Sequence, residues 1–290
     1  MALTEAQATT SPSDRFRRRV DELVAAHPVV ACNRYTAWFA EGDAELDDVR
    51  HLTVQFSVFS HLFLEAQLRK VIHAATLESY RAGKEILLNE LGVVFRPPAA
   101  EQREQAVDAE PHVVDGVDPQ LVSTEGTVDG GRFRFAAAHF EWLVRFGQPL
   151  GLGFDDLGKR HQATFATAHF CDELLRIYGS PDPSTAEGAS YAVEHWAAAG
   201  FWKQLIAGLK AFKCHSCPEL HLAFWTWHDK VEDQHAAHTA DELEEAFALP
   251  GFDEGRFLAG AAEMLDAVAH FWQGLDADRH EAARTSGAVA

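Results

Sequence analysis

Apolar residues recur at a three-to-four spacing in nearly every long segment of the chain, and no segment holds the sustained alternation of a strand. The pattern predicts a short helix over 15–26, stopped at His27-Pro28. Asp43 reads as the N-cap of a long helix reaching 75, with Leu52, Phe56, Phe59, Phe63 and Leu64 as its apolar stripe. A further helix over 79–91 stops at Gly92. From 93 to 131 the period is lost. Pro97-Pro98, Pro111 and Pro119 punctuate a polar segment longer than an ordinary connection, which reads as an insertion or lid. Helix is expected again over 133–146 and 157–178, with a turn over 147–153. Ser184-x2-Glu187 and Ser216-x2-Glu219 read as capping boxes, opening helices that run to about 212 and 239. Short helices over 241–248 and 253–275 close the pattern. The sum is one all-α domain of about seven main helices over 15–277, between flexible tails at 1–14 and 278–290.

Charge narrows the function. Lys and Arg number 25 against 44 Asp and Glu, a net charge of -19, which argues against nucleic acid and anionic membranes as partners. No apolar run approaches the roughly 18 residues of a membrane span, and the start lacks the basic-then-apolar pattern of a signal peptide. Four cysteines do not make a disulfide scaffold and fit a reducing compartment, so a cytoplasmic protein is expected. Cys214-x2-Cys217 has a chelating spacing but no second pair, and reads as a turn between helices.

The chemistry concentrates in Trp227-His228-Asp229-Lys230-Val231-Glu232-Asp233-Gln234-His235. On a helix, His228, Glu232 and His235 fall at roughly 0°, 40° and 340°, one narrow face. Two imidazoles and a carboxylate suit Fe, Mn or Zn better than Ca or Mg. The chain has only one E-x-x-H motif, Glu232 to His235, so a ferritin-like pair of such motifs is not available. Further ligands are sought among polar groups in apolar surroundings, where an unpaired charge is costly. Glu90, His139 and Glu194 meet that test best. Tyr191, three residues before Glu194, could hydrogen-bond a ligand or be oxidised, although packing is the safer reading.

In order and type, Glu90, His139, Glu194 and the trio His228, Glu232 and His235 resemble the ligands of the haem-oxygenase-like di-iron oxidases. The resemblance spans about 54–239. It departs in one place: 48 residues lie between Glu90 and His139, where the family has about two turns. Asp129, Glu125 and Glu65 are the alternatives to Glu90. The resemblance implies a haem-oxygenase-like helical bundle, a frequent homodimer, and two Fe ions held by mixed imidazole and carboxylate, with O2 as co-substrate. A manganese–iron pair fits the same ligands. It further implies oxidation of a small amine, amino acid or fatty acid, by N-oxygenation or oxidative C–C cleavage, with Glu194 and Tyr191 as the catalytic candidates.

Three other readings share the fold. One is a metal-free enzyme, a thiaminase-like hydrolase or cofactorless oxidase, against which stands the lack of a Cys beside Glu194. The second is a haem-degrading enzyme with His51 or His61 as proximal ligand. The third is a binding module without chemistry. The tryptophans read mainly as core, with some of Trp142, Trp196, Trp202 and Trp225 lining a pocket.

Overall fold

The computed structural model describes residues 11–96, 124–128, 131–135 and 137–287; within 94–135, within 231–242, and at 245, 283 and 285–287 it describes the backbone alone. Helix dominates. The elements are α1 (Pro12–Ala26), α2 (Pro28–Ala31), α3 (Arg34–Ala40), α4 (Leu46–Ile72), α5 (Leu77–Glu90), α6 (His139–Gly147), α7 (Phe165–Glu173), α8 (Pro183–Ala198), α9 (Phe201–His215), α10 (Ala223–Ala248) and α11 (Glu254–Gly287). Three short strands, β1 (Val93–Arg96), β2 (Thr124–Val128) and β3 (Gly131–Phe135), stand between α5 and α6. Among the described residues no helix is long and apolar enough to cross a membrane.

One core runs through the bundle. Phe56, Phe146, Phe170, Trp225 and Phe271 are fully enclosed, and α11 packs along α8, α7 and α1. Burial of side chains this large supplies roughly 1.5–3 kcal/mol each. The α8–α11 crossing is tight because both helices carry glycine there: a Cβ on Gly188 would overlap the Phe257 carbonyl, and one on Gly260 the Thr185 carbonyl.

Several boundaries differ from the sequence pattern, each for a local reason. Asp43 is not the cap of α4; Glu45 is, with the Asp48 carboxylate accepting from its backbone N–H at 2.9 Å. Ser184 does not cap α8 either. Asp182 does, accepting from Thr185 N at 2.9 Å, and Ser184 Oγ instead accepts from Asp253 N at 3.0 Å. The helix expected to run on to 212 breaks at Gly200, whose φ of 95° lies in the left-handed region. Pro218 and Glu219 belong to a turn, and α10 opens at Ala223. Neither Pro nor Gly interrupts 239–249, so α10 continues until Leu249-Pro250-Gly251 stops it. α11 runs to Gly287 without a break at 275, passing through Gly274, because no proline follows to stop it.

The expected helix over 157–178 starts only at Phe165 and ends in a π-turn, Leu174–Tyr178. The preceding loop is tied to α4 by two buried polar side chains. Gln55 donates to Gln162 O and accepts from Thr164 N, both at 2.9 Å, and Ser57 Oγ accepts from Gly158 N at 2.9 Å.

The largest departure is the sheet. Part of the segment read as an insertion pairs as an antiparallel sheet of order β1-β3-β2. Gly131-Arg132-Phe133-Arg134-Phe135 does alternate, over a length too short to register as sustained. Helix accordingly resumes at His139 rather than 133. The β1–β3 register sets Val93 opposite Phe135. That pairing carries the functional consequence, because it folds the ends of α5 and α6 back onto each other.

Candidate metal centre

Glu90 is the last residue of α5 and His139 the first of α6. Pairing Val93 with Phe135 closes the long sequence gap between them, and His139 Nδ1 comes to 3.0 Å from Glu90 Oε2. His228 joins them from the second turn of α10. One potential ligand atom from each of the three lies within 4.8 Å of the others. Their side chains are largely enclosed, His139 at 16% and Glu90 at 21% exposure.

The donor geometry fits a cation. His228 Nδ1–H donates to the Phe224 carbonyl at 2.7 Å, one helical turn back. A carbonyl only accepts, so this bond fixes the tautomer and puts the lone pair on Nε2. Trp202 stacks on the same ring at 4.9 Å and 22°, and Phe224 covers it at 4.3 Å. The His228 ring is therefore held in place by core residues. His139 is different. Its Nδ1 is buried and faces Glu90 Oε2 at 3.0 Å without making an aligned hydrogen bond. A cation between His139, Glu90 and His228 would satisfy it. Two imidazoles and one carboxylate with open positions suit a non-haem Fe(II) ion.

Among the described residues none of the other sequence candidates joins this three-residue group. The side chains of Glu232 and His235 lie outside the described residues, as do Glu125 and Asp129. Glu65 is exposed on α4. Glu194 is half-buried on α8 and does not belong to the three-residue cluster. It shares a face with Glu187 and Ser190, which meet Lys70 of α4: Lys70 Nζ donates to Ser190 Oγ at 2.6 Å and lies 3.5 Å from Glu187 Oε2. Tyr178 completes this polar patch by donating to Gln67 Oε1 at 2.6 Å, and burial pushes its phenol up to about 12. Tyr191 faces elsewhere, its hydroxyl donating to Asp21 of α1 at 2.9 Å and its ring stacked on His195. Burial first, and then the Asp21 hydrogen bond, raise its phenol above the ordinary value.

Of the early histidines, His51 Nε2 lies 2.9 Å from Asp278 Oδ2, and His61 stacks on Phe140 at 4.0 Å. Sequence reasoning did not assign Phe224 and Trp202 their roles at His228. The four-residue step from Phe224 to His228 was the available signal, since a side-chain N–H at that spacing can reach back to a helix carbonyl.

Solved structures place this architecture. A CADD-like protein of unknown function from Nostoc punctiforme superposes with a TM-score of 0.58 at 15% identity, over 92% of this chain and 95% of that one. A domain of unknown function with a haem-oxygenase-like fold from Shewanella denitrificans gives 0.57 at 12% identity, over 94% and 95%. The chain has the haem-oxygenase-like fold. A TenA homologue from P. horikoshii matches the fold too, with a TM-score of 0.53 at 10% identity over 91% of this chain and 97% of that one. No protein-family model matches the sequence, and no curated protein does. At these identities the likeness speaks for the fold, and the function has to be argued from the site.

Proposed function

We propose that the protein is an O2-activating non-haem di-iron oxidase or oxygenase of a small organic substrate, oxidising an amine, amino acid or fatty acid. The observation that carries this reading is the convergence of Glu90, His139 and His228, with a buried His139 nitrogen that faces Glu90 Oε2 at 3.0 Å without an aligned hydrogen bond. In this reading those three residues hold one ion. Glu194 takes part in holding the second, with Glu232 and His235, whose side chains lie outside the described residues. Bound iron supplies the electrons that O2 needs and that no side chain in the cluster could give alone.

The chain's own contribution is positional and electrostatic. Phe224 O keeps His228 in the tautomer that presents Nε2, and the Trp202 and Phe224 rings shield that imidazole from water. Glu90 brings the negative charge that favours a more highly charged ion, and the neutral imidazoles limit the total. Against the thiaminase-like alternative, no described cysteine joins the cluster. Cys171 is buried, which pushes its thiol up to about 12 and away from reactivity.

The test is anaerobic Fe(II) titration of metal-free protein, followed by rapid mixing with O2. About two irons per chain, with O2 consumed and a visible band appearing, is the expected result. Absence of iron uptake, both alone and with candidate amines, amino acids and fatty acids, would refute the reading.

A further inference from the structure

A continuous file of aromatic rings leads from His228 to the surface. Trp202 stacks on His228 at 4.9 Å, Phe201 lies 4.5 Å from Trp202, and Trp196 lies flat on Phe201 at 4.5 Å and 2°. Phe201 and Trp196 each reach Trp272, at 5.7 and 6.4 Å. Tyr35 follows at 5.6 Å from Trp272, and half-buried Trp38 at 5.4 Å from Tyr35. The indoles of Trp196, Trp202 and Trp272 are buried, and none of their Nε1–H groups has a hydrogen-bond partner. Buried tryptophan ordinarily finds a partner for that group; Trp225, packed beside Trp202, also lacks one, so the feature belongs to the aromatic core through which the file runs.

We infer that this file is a single-electron route between the candidate metal centre and the surface at Trp38. The inference rests on the reading of His228 as a ligand of a redox-active ion. An oxidised centre takes one electron from Trp202 and leaves the indole as a radical cation. The positive hole then moves outward by successive one-electron transfers among Trp202, Trp196, Trp272 and Trp38, with Phe201 and Tyr35 as bridges. At Trp38 an enediol reductant of the ascorbate class returns the electron and releases its own proton to water. The centre is reduced by one electron, the enediol is oxidised by one, and no bond within the protein is made or broken.

The unpartnered indoles explain why the hole can travel. With no acceptor for the Nε1 proton, the radical cation keeps its proton, and each transfer moves an electron alone. At the outer end Tyr35 lies near Asp48, Asp276 and Asp278 and near the Arg279 guanidinium. Arg279, 4.2 Å above the Trp38 ring, is itself paired to Asp276 at 2.7 Å.

The first test needs no metal. A ruthenium polypyridyl photo-oxidant is tethered at exposed Cys32, on the turn into α3, in full-length metal-free protein carrying Cys214→Ser to remove the other exposed thiol. After a flash, transient absorption and electron paramagnetic resonance should report a long-lived tryptophan radical cation. Trp272→Phe should abolish most of that long-lived signal, and Trp38→Phe, a milder change near the surface, should lower its yield. Equal yields and lifetimes in wild type and both variants would overturn the inference.

A second arm follows the reduction of the iron-loaded, O2-oxidised protein by ascorbate. Slower reduction in both variants at unchanged iron content supports the route, and unchanged reduction overturns it. Failure of the wild type to load iron counts against the metal centre alone and leaves the metal-free flash experiment to decide the route.

Discussion

The candidate centre is assembled from two halves that are held in different ways. His228 sits on a helix of the bundle, its ring packed against Trp202 and Phe224 and its Nδ1–H committed to a backbone carbonyl. Glu90 and His139 sit at the two helix ends that bracket the sheet, and the β1–β3 pairing is what brings them together. α5, which carries Glu90, packs chiefly on α4 and β1 and buries only Gly83 fully. One half is thus rigid because the core is rigid. The other half is the hinge side of the site, where His139 Nδ1 lacks a hydrogen bond. The difference suggests a division of labour, in which the core fixes one ligand in advance and a bound ion would draw the other two into place.

Substitutions can break or sharpen that contrast. The largest effect is expected on the rigid half: Trp202→Ala should destabilise the protein by about 3–5 kcal/mol, seen in urea unfolding, and should weaken iron uptake because His228 loses its support. On the other half the cost should be smaller. His139→Phe removes the side chain that Glu90 Oε2 faces at 3.0 Å, so the metal-free protein should lose about 0–1 kcal/mol while losing its iron. Calorimetry and metal analysis on the same sample check both parts.

A smaller effect is expected from Thr76→Ala. Thr76 caps α5 by accepting from Ser79 N at 3.0 Å, and its loss should cost about 1 kcal/mol. Because α5 carries Glu90, iron affinity measured by competition with a chelator should fall with it, whereas loss of a cap on a helix remote from the site should leave affinity alone.

The smallest effect concerns pH. Burial, and then the nearby Lys159 charge, hold His61 below its ordinary value of 6.5. The unfolded chain therefore takes up this proton before the folded protein does. His61 contributes stability that is fully present above 6.5 and is lost as pH falls through that value toward the folded one. The melting temperature of the metal-free protein should decline over that window, and by less in His61→Phe.

Much of the bundle could be read from periodicity alone, because long helices with apolar stripes such as Leu52, Phe56 and Phe59 leave a strong signal. Ends were harder to read. Ser184 and Ser216 both match a capping pattern, yet Asp182 caps α8 and α10 opens only at Ala223. Which hydroxyl or carboxylate reaches an amide depends on tertiary contacts, as the bond from Asp253 N to Ser184 Oγ illustrates. The Glu90–His139 pairing was legible as a pair of residue types, but the 48 residues between them looked like an obstacle. The answer lay in a short strand alternation, Arg132 to Phe135, whose partner Val93–Arg96 is four residues long. No pattern along the chain shows that two such short strands meet. The walls of the His228 site were hidden for a related reason: aromatic residues at helical spacing look alike whether they fill a core or hold a ligand.

The most direct test of the candidate centre is crystallographic. Crystals soaked anaerobically with Fe(II) and measured at the iron absorption edge should show an anomalous peak bonded to Glu90, His139 Nδ1 and His228 Nε2. A map without a peak between those three side chains, under conditions where solution titration shows iron bound, would contradict the assignment.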